Sequence, residues 1–113
     1  VVITTEDMVK KNPDLIRKYL KATIDGWNYY YEHGDEVNKL INETNKDYSL
    51  DHLKSSQAIT KDFVFGGDAA SHGLGYMSAE RWQTLVDQMK EAGMIKKDIS
   101  IKELYTNDFL PKK

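Results

Sequence analysis

The side chains best suited to ligand chemistry lie in a short glycine-rich stretch, GGDAASHGLGYM, between Phe65 and Ser78. Asp68 offers a hydrogen-bond acceptor, His72 a titratable donor or acceptor, and Tyr76 an aromatic ring that can stack on a ligand. Glycine allows the backbone to approach a ligand closely. The stretch has four of them, at Gly66, Gly67, Gly73 and Gly75. We take Asp68, His72 and Tyr76 as candidate ligand contacts, while a polar surface loop without a ligand would have a similar composition.

Trp82 follows this stretch closely and is the fourth candidate contact. At helical spacing it shares a face with Leu85 and Val86, so a place in the core is the alternative. A second aromatic group falls on the apolar face of a long predicted helix, which favours core packing over a stacking platform. Its members are Trp27, Tyr30 and Tyr31.

No residue pattern is typical of a metal site or a catalytic centre. The three histidines, His33, His52 and His72, are far apart, and none has a second histidine or a carboxylate at the spacing of a known metal motif. The chain has no cysteine, which excludes disulfides, thiolate metal sites and thiol nucleophiles within it. We therefore expect no catalytic residue, no metal ligand and no cofactor.

Length and charge narrow the class of protein further. The 113 residues fall within the size range of one domain, so residues 1–113 are treated as a single unit. The formal charge of -2 gives no reason to expect nucleic acid or an anionic membrane as a partner. The apolar runs are far shorter than the roughly 20 residues that cross a bilayer.

Hydrophobic spacing and capping residues predict a mainly α-helical chain with one strand at its N-terminus. The β-branched run from Val1 to Thr5 predicts the strand, and Glu6 and Asp7 suit the first turn of a short helix that follows it. The further predicted helices run from Pro13 to about His33, from Asp35 through Ile41, from Ser49 through Ile59 and from Ser78 to Gly93, with a possible helical turn at Ile101 to Leu104.

A series of short motifs spans nearly the whole chain. They are Asn12-Pro13-Asp14-Leu15, Lys21-Ala22-Thr23, Gly26-Trp27, Gly75-Tyr76-Met77, Arg81-Trp82, Gly93-Met94-Ile95 and Tyr105-Thr106-Asn107-Asp108-Phe109-Leu110. In this order the motifs resemble the C-terminal segment of ABC-importer substrate-binding proteins, from the family that includes thiamine-pyrimidine and alkanesulfonate binders. Each motif is short, and the resemblance is carried by the set.

The resemblance implies a parent α/β fold of two lobes, like a class II periplasmic binding protein, of which this chain supplies the C-terminal part. Val1 to Thr5 would then be a strand returning between the lobes. The whole protein would be extracytoplasmic, either periplasmic or anchored as a lipoprotein. Because a strand edge and a helical face would be left uncovered, we also expect the fragment to self-associate.

The function implied is binding without catalysis: delivery of a thiamine-type pyrimidine to an ABC permease. An aminopyrimidine could use Asp68, His72 and Tyr76 together. Three alternatives stay open: a binder of alkanesulfonate, taurine, nitrate or a riboflavin-like ligand; an enzyme similar to the thiamine-pyrimidine synthases; and a helical interaction module without a small ligand. The synthases carry a cysteine-rich iron site, and this chain has no cysteine.

Overall fold

The computed structural model describes residues 1–112, and these form six α-helices and one short 3₁₀ turn. The helices are α1 (Glu6–Lys11), α2 (Pro13–Glu32), α3 (Gly34–Thr44), α4 (Leu50–Phe65), α5 (Asp68–His72) and α6 (Ala79–Glu91), and the 3₁₀ turn is Ile101–Glu103. The mainly helical prediction is therefore confirmed, including the late turn near Ile101. None of the helices in this part of the chain is long and apolar enough to cross a membrane.

Helix ends follow the capping residues in the sequence. The Ser49 hydroxyl accepts a hydrogen bond from the His52 N–H at 3.2 Å and starts α4, as predicted. Pro13 takes the first position of α2, where its missing N–H breaks no helical bond. Gly93, with a φ of 70°, lies just past the end of α6, and its left-handed backbone stops that helix.

The predicted N-terminal strand is wrong. Residues 1–4 have no regular secondary structure, and Val1 and Ile3 are 97% and 88% exposed. A strand needs a neighbouring strand to pair with its N–H and C=O groups, and no other strand forms within residues 1–112. The β-branched run therefore has a local preference for strand conformation, but the described chain offers no strand for it to pair with.

Two predicted boundaries also differ. The sequence predicts that one helix runs to about His33 and the next begins at Asp35, but α2 ends at Glu32 and Gly34 is the first residue of α3. Gly34 has no positive φ; it is needed because a Cβ there would collide with the side-chain amide of Gln57 on α4. Residues 68–72, expected to be irregular, form the short helix α5 between Gly67 and Gly73.

The best-packed part of the fold is the meeting point of α2, α3 and α4, and its centre is polar. Asn38 on α3 has no exposed surface, and its Oδ1 accepts a hydrogen bond from the Tyr30 hydroxyl of α2 at 2.9 Å. Its Nδ2 donates to Gln57 Oε1 on α4 at 3.2 Å. Gln57 Nε2 in turn donates to the Tyr30 carbonyl at 2.8 Å, which closes a ring of bonds through the three helices.

Apolar packing around this centre is thin. Among the described residues only Leu53 and Val86 are apolar and buried, whereas Phe63 is 84% exposed. Trp27 was predicted to pack in the core but is 41% exposed, with its ring stacked on Tyr31 at a centroid distance of 6.2 Å. The radius of gyration is 17.2 Å, against roughly 13 Å for a compact domain of about 100 residues. The helices are therefore packed less compactly than in a typical domain of this size.

Candidate functional site

A cavity of about 290 Å³ lies between α2, the short helix α5 and the C-terminal residues. Most of its wall is apolar, and three polar side chains reach it. The apolar side chains are Ile24, Phe65, Ala69, Leu74, Leu110 and Pro111. The polar ones are Asn28, His72 and Lys112. An apolar hollow with a few polar groups is the usual form of a small-molecule site.

His72 and Tyr76 lie together at this cavity. Their rings stack with centroids 4.1 Å apart and planes 21° from parallel. Two left-handed glycines between them, Gly73 with a φ of 99° and Gly75 with a φ of 83°, turn the chain so that Tyr76 folds back over His72. His72 lines the cavity together with Phe65, whereas Tyr76 stacks on His72 without lining the cavity itself.

Asp68 is the first residue of α5, one helical turn before His72. Its Oδ2 is enclosed and has no hydrogen-bond partner among the described residues. Enclosing a carboxylate oxygen without a donor costs free energy, on the order of 1–3 kcal/mol or more for a charged group. Such an oxygen can accept a hydrogen bond from an N–H donor that enters beside α5.

Trp82 lies apart from these three residues. It belongs to α6, and its ring stacks on Tyr105 with centroids 5.6 Å apart and planes 9° from parallel. It does not line the cavity beside His72, whereas Tyr105 lines a second hollow of about 380 Å³ with Asn107 and Asp108. The structure thus brings His72 and Tyr76 together, sets Asp68 one turn away, and leaves Trp82 on another face. A ligand role for any of the four stays a prediction.

Two asparagines at the site were not predicted from the sequence. Asn28 lines the cavity from α2. The Asn107 side chain bonds both backbone groups of Met77: its Oδ1 accepts from the Met77 N–H at 3.1 Å, and its Nδ2 donates to the Met77 carbonyl at 2.8 Å. Asn107 lies inside the motif Tyr105–Leu110. That motif contributed to the family resemblance, but no role for Asn107 itself was predicted from it.

The side chains with shifted pKa values do not line the cavity. A hydrogen bond from the Tyr29 hydroxyl to the Glu36 carboxylate raises the pKa of Tyr29, and burial raises the pKa of Tyr30. The ion pair between Lys90 and Asp98, with Nζ and Oδ1 2.7 Å apart, raises the pKa of Lys90 and lowers that of Asp98. No group of three or more histidine, aspartate or glutamate side chains within residues 1–112 could hold a metal ion.

Comparison with known proteins supports the resemblance seen in the motifs. Residues 1–37 match the family model described as NMT1/THI5 like. Over 97% of its length the chain is 24% identical to the riboflavin-binding protein RibY of Chloroflexus aurantiacus, and it spans 32% of that relative's length. No solved structure gives a significant match. These matches confirm the resemblance predicted from the sequence: the chain is similar to NMT1/THI5-like proteins over residues 1–37 and to a riboflavin-binding protein over nearly its whole length.

Proposed function

We propose that this chain is part of a non-enzymatic solute-binding protein whose ligand is a thiamine-precursor pyrimidine. The observation that carries the proposal is the stacked pair of His72 and Tyr76 at the edge of a largely apolar cavity. A flat heteroaromatic ring can extend such a stack, while its ring nitrogens and amino group find hydrogen-bond partners in the Asn28 amide and the His72 ring. The name of the relative, a binding protein, supports a role without catalysis.

Riboflavin is the second candidate ligand, because the relative is named as a riboflavin-binding protein. Its three-ring system contains a pyrimidine ring, so both candidates would use the same stacking chemistry. The cavity of about 290 Å³ lies at the lower end of the roughly 300–1,000 Å³ usual for ligand pockets. That size favours the one-ring pyrimidine as the ligand of this part of the protein. An alkanesulfonate is the third candidate ligand, favoured only by the positive charge of the lining residue Lys112.

The wider role is proposed from the family match alone. The whole protein would be extracytoplasmic, periplasmic or anchored as a lipoprotein, would have a two-lobed α/β fold and would hand its ligand to an ABC permease. Fractionation of cells that carry the native gene tests this directly. Recovery of the protein in the cytosolic fraction would contradict it.

Self-association is proposed for the isolated chain. Its helices are loosely gathered, and large apolar side chains such as Ile59 and Phe63 on α4 are mostly exposed. Burial of these side chains against a second copy would remove apolar surface from water. Light scattering at increasing protein concentration should show a mass above that of one chain, and a monomer at high concentration would contradict the proposal.

Ligand titration tests the binding proposal. Calorimetry with the hydroxymethylpyrimidine precursor of thiamine, with riboflavin and with an alkanesulfonate should show the tightest binding for the pyrimidine. His72→Ala and Tyr76→Ala should each weaken that binding by about tenfold, the size expected for losing one stacked aromatic partner.

A matched control exists in the same chain. Tyr48 and His52 form a second stacked pair, with centroids 5.7 Å apart, and neither residue lines the cavity. His52→Ala should therefore leave pyrimidine affinity unchanged. If the two cavity variants bound as tightly as the control, the ligand would not use the stacked pair. If neither the pyrimidine nor riboflavin bound to the unsubstituted protein, the proposed function would be rejected.

A further inference from the structure

The last part of the chain, residues 105–112, runs across the glycine-rich stretch and back to α2. We name these residues the C-terminal strap. Its ends and middle are held by different contacts: Tyr105 stacks on Trp82, and the Phe109 ring lies 5.1 Å beneath the guanidinium of Arg17 on α2. A Cβ placed on Gly75 would lie 3.1 Å from Leu110 Cδ2, so glycine at that position lets the strap approach closely.

The two hydrogen bonds of Asn107 are the polar part of this attachment. One planar amide supplies both the acceptor for the Met77 N–H and the donor for the Met77 carbonyl. The asparagine amide carries a donor and an acceptor side by side in one planar group, so the pairing imitates that of a neighbouring strand. It fixes the strap against the chain directly after Tyr76.

We propose that Asn107 is a positioning residue for the ligand cavity, acting through both of its walls; this rests on the proposed function. On one side, the strap that it holds contributes Leu110, Pro111 and Lys112 to the cavity wall. On the other, its partner Met77 adjoins Tyr76, whose ring stacks on His72. Loss of the two bonds would release both walls, although Asn107 itself does not line the cavity beside His72.

The strap also carries charge to the cavity. Among the described residues that line it, Lys112 is the one with a permanently charged side chain. A ligand with an anionic substituent should gain affinity from this ammonium, by roughly threefold for a solvent-exposed pair. Release of the strap should therefore reduce the preference for the phosphorylated over the unphosphorylated hydroxymethylpyrimidine. General loosening of the fold would lower both affinities without changing their ratio.

The test compares Asn107→Ala with the unsubstituted protein. We expect the affinity for hydroxymethylpyrimidine to fall by about tenfold and its phosphate to lose its advantage. Hydrogen exchange at the Met77 amide should accelerate, because that N–H loses its acceptor. Asn107→Asp keeps the acceptor and loses the donor, so it should recover part of the affinity.

Asn42→Ala is the matched control, since the Asn42 side chain also donates to a backbone carbonyl, that of Tyr48, at 2.7 Å, and neither residue lines the cavity. It should leave the affinity ratio unchanged. Leu110→Ala removes part of the wall while keeping the Asn107 bonds, and it should weaken binding without faster exchange at Met77. This variant keeps the inference testable if Asn107→Ala does not fold.

The outcomes separate the two proposals. If the unsubstituted protein bound neither pyrimidine nor riboflavin, the proposed function would fail and the inference with it. If Asn107→Ala bound the pyrimidine and its phosphate with unchanged affinities, the inference alone would be overturned, since the cavity would not depend on the strap.

Discussion

The two halves of the described chain are held together by different physics. Helices α2, α3 and α4 meet around the buried amide of Asn38, and every polar atom of that amide group has a partner on a neighbouring helix. The C-terminal half, α5, α6 and the strap, is joined by stacked rings and by one side chain bonded to backbone. A directional polar centre defines one arrangement of helices, whereas stacked rings can slide and leave room for a cavity.

The largest expected effect comes from removing the polar centre. Asn38→Leu should lower the free energy of unfolding by about 3 kcal/mol, because the Tyr30 hydroxyl and Gln57 Oε1, both half-buried, would each lose the bond to Asn38. Urea denaturation followed by circular dichroism measures the change. Asn45→Ala, at an exposed position with a single local bond to the Asp47 N–H, is the control and should cost much less. A loss below about 1 kcal/mol for Asn38→Leu would mean that the ring of bonds does not organise this half.

Two glycine substitutions in this half should change the free energy of unfolding in opposite directions. Gly34→Ala should destabilise the protein by about 1–2 kcal/mol, because its Cβ would displace the Gln57 side chain that bonds Asn38 and the Tyr30 carbonyl. Gly26→Ala, within α2 and with open space around the new Cβ, should stabilise it by up to about 1 kcal/mol through helix propensity.

Thermal melts of the two glycine variants, of Gln57→Ala and of the double variant Gly34→Ala with Gln57→Ala measure these changes. The double variant should lose less stability than the sum of the single ones, since both act on the same bonds. Additive losses would show that Gly34 and Gln57 act independently.

The smallest expected effect lies in the C-terminal half, at the exposed pair of Lys90 and Asp98. Because the pair lowers the pKa of Asp98, its contribution to stability is present above the unfolded-state pKa of that carboxyl and is lost as pH falls through the folded-state value. The raised pKa of Lys90 sets the upper end of the pH range in which the pair stabilises the fold. The contribution is fully present below the unfolded-state pKa of lysine and is lost as pH rises through the folded-state value.

Carboxyl NMR titration tests the pair. Lys90→Met should raise the pKa of Asp98, while the melting temperature near neutral pH should scarcely change because both groups are solvated. Lys96→Met serves as the charge control, because it removes a lysine two residues from Asp98 that forms no ion pair with Asp98 within residues 1–112. An unchanged Asp98 titration in Lys90→Met would contradict the ion pair.

Local signals in the sequence predicted the helices well and their assembly poorly. Ser49, Pro13 and Gly93 mark helix ends through backbone chemistry within a few residues, so their roles are readable from the sequence. The predicted strand at Val1–Thr5 was wrong because a strand depends on a partner that local sequence cannot supply.

The candidate site was predictable only in part, for the same reason. His72 and Tyr76 are four residues apart, and both were candidates from their side-chain chemistry alone; the stacking of their rings across Gly73 and Gly75 is seen only in the structure. The bonds from Asn107 to Met77 cross 30 residues, and nothing in the local composition of either segment indicates them. Asn38 was likewise unremarkable in the sequence, since its burial arises from helices packed on both sides.

The contact between Arg17 and Phe109 has a consequence for how the protein folds. It joins the second helix to the end of the chain, so almost the whole sequence must be looped before the contact can form. Closing a loop of that length carries an entropic cost that nearby pairs do not bear, and it slows the contacts that depend on it. We expect the strap to order last during folding and to detach first on unfolding, so that the cavity is complete only once the rest of the chain is in place.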